Sequence, residues 1–165
     1  MPTIESIIYI NAPKEKVWAA LADFGNIQNF HPGLKSSHST SKENEGVGAT
    51  RQCVLKPMGT IQERIVEWNK GESMLVHIYE GKNMPPINFD TTKARFTLRE
   101  DGGKTKTTMT MNYELKGMGG AVMGPMLKSQ YSKVIPQILQ GLKFYVEQGK
   151  TPTSQDIKQL AAAAA

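Results

Sequence analysis

The chain has a single cysteine, Cys53, so no intramolecular disulfide can form, and a reducing cytoplasm is the expected compartment. It has no apolar run near the roughly 20 residues that cross a bilayer, which excludes stable membrane insertion through a helix. Its first residues lead directly into "IESIIYI" without a basic stretch or a cleavage site, so no secretory leader is expected. It also lacks a charge cluster. The formal net charge is +5, but Lys14, Lys16, Lys35, Lys56, Lys93, Lys104, Lys128 and Lys150 are scattered and interleaved with acids. Such a surface does not track a phosphate backbone, and no nucleic-acid partner is expected. No zinc motif is present, and no metal or cofactor is expected. The glycine-rich "KGMGGAVMGP" lacks the Lys-Ser/Thr of a phosphate loop and follows no parallel strand, which excludes nucleotide binding there.

What is present is a regular order of elements. "TIESIIYI" alternates as a strand. Asn11 is a candidate N-cap and Pro13 suits a first helical turn. Val17, Ala20, Leu21 and Phe24 then recur at helical spacing. "NIQNF" forms a second short helix, which His31-Pro32-Gly33 must stop because proline forces the residue before it into extended backbone. From Leu34 to Leu115 six strands are separated by Gly-, Asn- and Asp-containing turns, the pattern of an antiparallel meander. "AVMGPMLKSQYSKVIPQILQGLKFYVEQG" closes the series as one long amphipathic helix, with Leu127, Tyr131, Ile135, Ile138 and Leu142 on one face. The expected fold is therefore α+β, a seven-stranded curved antiparallel sheet wrapped around the long helix. It forms one domain over residues 1–150, followed by a polar, alanine-rich tail over residues 151–165 that is disordered or appended.

Strand alternation nominates an inner face. It selects Met109, Met111 and Tyr113 on the last strand, Phe96 before it, and Val76 and Ile78 before that. Ile61, Glu63 and Ile65 share a face, so Glu63 sits among isoleucines. A carboxylate there needs a partner, and His31 and Arg51 are the candidates. Phe30 and His31, at the helix stop, are placed at the lip of the sheet. Cys53 reads as a small buried hydrophobe. The loops at 56–59 and 81–88 fall at one end of the meander, which would put Met58 and Met84 exposed at an entrance. Nine methionines supply an adaptable apolar lining.

"INAPKEKVWAALADFGNIQNFHPGL", "GVGATRQ", "IQERIVEWN", "IYEGKNMPPINF" and the terminal helix, in that order, resemble the START-like (SRPBCC) superfamily, especially its polyketide cyclase/dehydrase branch. The pattern is distantly similar to plant abscisic acid receptors and to birch-pollen-allergen-like proteins. The resemblance implies a helix-grip fold with a hydrophobic cavity between sheet and helix. It also places His31 where the receptors hold a ligand carboxylate with a lysine, and Glu63 on a pocket glutamate. "VLKPMGT" and "EGKNMPPIN" fall on the receptors' gate and latch loops but lack their signatures, which argues against abscisic acid sensing.

The expected activity is binding of a small hydrophobic molecule (a lipid, polyketide or isoprenoid) by a carrier or sensor. The expected ligand-binding residues are Phe30, His31, Met58, Ile61, Glu63, Val76, Ile78, Met84, Phe96, Met109, Met111, Tyr113, Leu127, Tyr131 and Ile135. One alternative is a polyketide cyclase/dehydratase-like lyase or isomerase using His31, Glu63 and Tyr113 as acid/base groups. Another is a protein-binding module that works through the two loops. A homodimer is compatible with each.

Overall fold

The computed structural model describes residues 1–164; Ala165, the end of the expected tail, lies outside the described residues. Strand β1 (Thr3–Ile10) leads into helix α1 (Lys14–Ala22) and a 3-10 segment (Phe24–Asn29). Six strands follow: β2 (Leu34–Ser39), β3 (Thr50–Leu55), β4 (Thr60–Asn69), β5 (Ser73–Lys82), β6 (Lys93–Asp101) and β7 (Lys104–Asn112). Helices α2 (Gly117–Gln148) and α3 (Ser154–Ala164) complete the chain. The strands form one antiparallel sheet in the order β1-β7-β6-β5-β4-β3-β2, so β7 returns beside β1 and the rest is a simple meander.

Alternation along each strand builds one apolar face. Ala94, Phe96 and Leu98 on β6, Met109 and Met111 on β7, and Val76 and Ile78 on β5 are all buried. Register shifts between Gln62 and Glu63, between Ile65 and Glu67, and between Leu34 and Ser36 add local bends. Those bends increase twist and curl the sheet around α2.

Local chemistry departs from expectation at several helix ends. Pro13, not Asn11, is the N-cap of α1, and it makes no side-chain cap. Proline has no side-chain acceptor, so only its carbonyl joins the helix start, accepting from the Lys16 and Val17 N–H groups at 3.0 and 3.3 Å. Helix α2 begins at Gly117, ahead of the expected start at Ala121, and Gly149 ends it in the left-handed conformation at φ 71°. The segment expected to be a disordered or appended tail carries α3, with Ile157 buried. Thr153 and Asp156 cap it reciprocally: the Asp156 carboxylate accepts from the Thr153 N–H at 2.7 Å, and the Thr153 hydroxyl accepts from the Asp156 N–H at 3.1 Å. The carboxylate accepts from the Thr153 N–H and also from its hydroxyl, at 2.8 Å, and these two bonds hold the Asp156 carboxyl below its ordinary value.

Helix α2 approaches the rest of the fold closely at Gly141. A methyl group there would overlap the Phe30 carbonyl oxygen and come within 3.5 Å of Pro32 Cδ. Helix backbone therefore packs directly on the Phe30–Pro32 turn that carries His31. Gly141→Ala should destabilise the fold by about 1–3 kcal/mol, because a backbone clash outweighs the ~1 kcal/mol gain in helix propensity. At Gly119, also in α2, nothing lies within 4 Å of an added β-carbon, so Gly119→Ala should be neutral or stabilising. Urea denaturation of both variants checks the pair; equal midpoints would contradict the packing assigned to Gly141.

Candidate functional site

Sheet and helix do not close completely on one another. Between them lies a cavity of about 730 Å³, in the range typical of small-molecule sites. Its walls are mostly apolar. Ile61, Val76, Ile78, Phe96, Met109 and Met111 line it from the sheet, and Leu127, Tyr131 and Ile135 from α2.

The loops at 56–59 and 81–88 lie at the same end of the cavity, and Lys56, Pro57, Met58, Asn83, Met84, Pro85, Pro86 and Ile87 line it. They touch at Gly59, where a β-carbon would meet Met84 Sδ at 2.7 Å and the Asn83 carbonyl oxygen at 3.1 Å; Gly59 has φ 107°, a conformation that side chains disfavour. Met58 is 67% exposed. Met84, expected to be exposed like Met58, is half-buried because it packs onto Gly59 and Gly81.

Two of the expected site residues do not line the cavity. Phe30 is buried behind the wall, tilted toward Tyr145 with ring centroids 6.3 Å apart. Tyr113 is also buried, stacked edge-on to Tyr131 at 4.9 Å, so it backs a lining residue. Both face inward as alternation and the helix stop require, but they sit one layer deeper. The other expected residues, Met58, Met84, His31 and Glu63 included, all border the cavity.

Its polar end is built across β3 and β4. The register pairs Arg51 with Glu63 and Cys53 with Ile61, placing Arg51, Cys53 and Glu63 on the inner face. Arg51 (4% exposed) donates Nε–H to Glu63 Oε2 (6% exposed) at 2.6 Å. Arg51 Nη1 donates to the Phe24 carbonyl at 2.9 Å, and the guanidinium lies 3.9 Å over the Phe24 ring. Cys53 Sγ donates to the same Glu63 oxygen at 3.3 Å. Burial alone would raise the Glu63 carboxyl, but the Arg51 charge outweighs it and holds the group below its ordinary value. Burial, with Glu63 beside it, pushes the Cys53 thiol up, so it stays protonated.

His31 lines the same region. Its Nδ1 accepts from the Gly33 N–H at 3.0 Å. It makes no hydrogen bond to Glu63, whose paired oxygen is taken by Arg51 and Cys53. Burial lowers the imidazole from 6.5 to about 4; the Glu63 charge opposes this, and Arg51 and Lys56 add to it. The ring is therefore neutral near pH 7, and with Nδ1 accepting, its proton sits on Nε2. Burial also pushes the Tyr131 phenol up to about 12. Of the other histidines, His38 is exposed on β2 and His77 Nε2 is 2.7 Å from the Phe89 carbonyl oxygen.

Arg51 and Cys53 were not among the expected binding residues, although both border the cavity. The signal was present: they stand two apart on one strand, so a buried Cys53 carries Arg51 inward with it. Among the described residues no cluster of three His, Cys, Asp or Glu could hold a metal ion, and no helix is long and apolar enough to cross a membrane.

A family model described as polyketide cyclase/dehydrase and lipid transport matches residues 1–147. The chain belongs to this family. Solved structures support its fold. A START superfamily protein from Mycobacterium smegmatis superposes with TM-score 0.73 at 15% identity, covering 90% of this chain and 99% of that one. The Zhui aromatase/cyclase from Streptomyces sp. R1128 superposes with TM-score 0.75 at 15% identity, over 89% and 94% of the two chains. Ara h 8.0201 gives 0.64 at 15% identity, over 89% and 98%. At these identities the likeness establishes the helix-grip fold alone. No curated protein matches the sequence. Family and fold together point to hydrophobic-ligand binding or to chemistry of the polyketide cyclase type.

Proposed function

We propose that this protein binds a small hydrophobic molecule in the cavity between sheet and α2, as a carrier or sensor. The observation that carries this reading is the cavity itself: about 730 Å³ left open between the sheet and α2 and lined mostly by apolar side chains. A space that large is unfavourable to keep empty, since its apolar lining forfeits dispersion contacts that a ligand would restore.

The disposition of the ionisable groups favours carrying over catalysis. Glu63 is held ionised by Arg51, which lowers its proton affinity and makes it a weak base. His31, lowered to about 4, is a weak base at neutral pH. Tyr113, the third acid/base candidate, does not reach the cavity. No activated nucleophile accompanies them, since the Cys53 thiol is pushed up.

Nile red, a neutral apolar fluorophore, should bind wild type with a blue-shifted emission, and freshly purified protein should release an apolar molecule in native mass spectrometry. Ala94 borders the cavity from β6, so Ala94→Phe should weaken Nile red binding about tenfold by filling space, at a stability cost of about 1–3 kcal/mol. Unchanged affinity in this variant would place the probe elsewhere and sink the proposal.

A further inference from the structure

We propose that the cavity's polar end selects a neutral hydroxyl group, so that the preferred ligands are apolar alcohols or phenols rather than carboxylic acids. This rests on the binding role proposed above and names the ligand class.

Free hydrogen-bonding atoms decide the class. His31 Nδ1 is committed to Gly33, which leaves Nε2–H as a donor. Arg51 Nε and Nη1 are committed to Glu63 and Phe24, while Nη2 has no partner among the described residues. Glu63 Oε2 takes Arg51 and Cys53, while Oε1 has no partner among them. None of these three atoms is sealed away from space, and all three residues border the cavity. The end wall thus offers donors on His31 and Arg51 and an acceptor on Glu63. A hydroxyl is a small neutral group that can accept from one and donate to the other.

Charge sharpens the choice. The Arg51 cation and the Glu63 anion offset each other, and His31 is neutral, so the wall has no net charge to give a second anion. A ligand carboxylate would have to share Arg51 with Glu63 while facing the free Glu63 oxygen, an arrangement in which two buried carboxylates disfavour each other. Lys56 does not supply the missing charge: it is exposed at the mouth, with Nζ 3.4 Å from the Pro32 carbonyl oxygen, and its charge is screened by water. In this respect the site differs from the carboxylate-binding pocket that the resemblance at His31 suggests.

Displacement of Nile red by dodecan-1-ol, dodecanoic acid and dodecane at pH 8 tests the proposal on the wild-type protein. The alcohol should compete at least about tenfold better than the ionised acid, and better than the alkane. An acid that competes as well as the alcohol, or an alkane that equals it, overturns the hydroxyl assignment while leaving the apolar cavity in place. Failure of Nile red and all three competitors to bind would instead overturn the binding role itself. Glu63→Gln removes the anion and leaves Arg51 as a net cation. In that variant the acid-to-alcohol ratio should shift about tenfold or more toward the acid. An unshifted ratio in folded Glu63→Gln contradicts the charge argument, and if the variant does not fold, the wild-type series decides alone.

Discussion

Arg51→Leu is expected to lose about 3–5 kcal/mol of folding stability, the loss typical of removing one partner from a buried ion pair. Arg51 and Glu63 are both almost wholly enclosed, and the bond between them is 2.6 Å long. Deleting the guanidinium leaves the Glu63 carboxylate in an apolar wall with only the Cys53 thiol as donor. The carboxyl can escape by taking up a proton, so its pKa should rise once burial is no longer opposed by Arg51. Two further contacts go with the side chain: the bond to the Phe24 carbonyl and the face of the Phe24 ring. These tie the 3-10 segment to β3, so the region around Phe24–Asn29 should loosen first. Removing both charges is a milder change, because no uncompensated ion remains. Arg51→Met combined with Glu63→Leu should therefore be more stable than either Arg51→Leu or Glu63→Leu alone. Urea unfolding of the four proteins gives the result. Single variants within about 1 kcal/mol of wild type would mean that the pair is solvated, contrary to its burial.

Much of this site follows from period-two patterning. Ile61 and Ile65 flank Glu63 at the strand period, which is enough to turn a carboxylate inward. The same rule places Met109, Met111, Val76 and Ile78 on the cavity wall. Patterning tells which face a residue takes, but not how deep it lies. Phe30 and Tyr113 face inward, yet Tyr145 and Tyr131 take them into a second layer. Depth depends on how α2 lies across the sheet, which Gly141 helps to set by packing on the Phe30–Pro32 turn.

The partner of Glu63 was equally hard to choose from sequence. His31 and Arg51 were both candidates, and cross-strand register decides between them: Arg51 lies directly opposite Glu63 on β3. That register is continuous from Thr50 to Val54 and follows from the length of the β3–β4 turn, which a hydrophobic pattern does not record. Helix α3 was obscured for a different reason. Its composition is polar and alanine-rich, and one buried residue, Ile157, anchors it. The start signal, Thr153 with Asp156 three residues on, is legible as a capping box once the helix is suspected.

Acid should destabilise the protein well above the range in which its carboxylates titrate. In the folded protein His31 is lowered to about 4, whereas in an unfolded chain it returns to 6.5. Between those values the unfolded state binds a proton that the folded state refuses, so stability rises with pH across this window. The contribution is fully present above pH 6.5 and is lost progressively as the pH falls to about 4. Its limit is about 3 kcal/mol, from 1.36 kcal/mol for each tenfold change in proton affinity. Glu63 adds a second, lower step. Its carboxyl is held below 4.5 in the fold, so its contribution is present above that value and disappears as the pH drops through the folded pKa. The two steps can be separated with His31→Asn. Asparagine does not titrate, and its side-chain oxygen can still accept from the N–H two residues on, as Nδ1 does from Gly33. Urea midpoints measured from pH 8 to pH 4 should fall steeply below pH 6.5 in wild type and stay nearly level in His31→Asn until the carboxylates begin to protonate. Parallel curves for the two proteins would show that His31 is accessible to protons in the folded state, and would withdraw the neutral Nε2–H donor from the cavity wall.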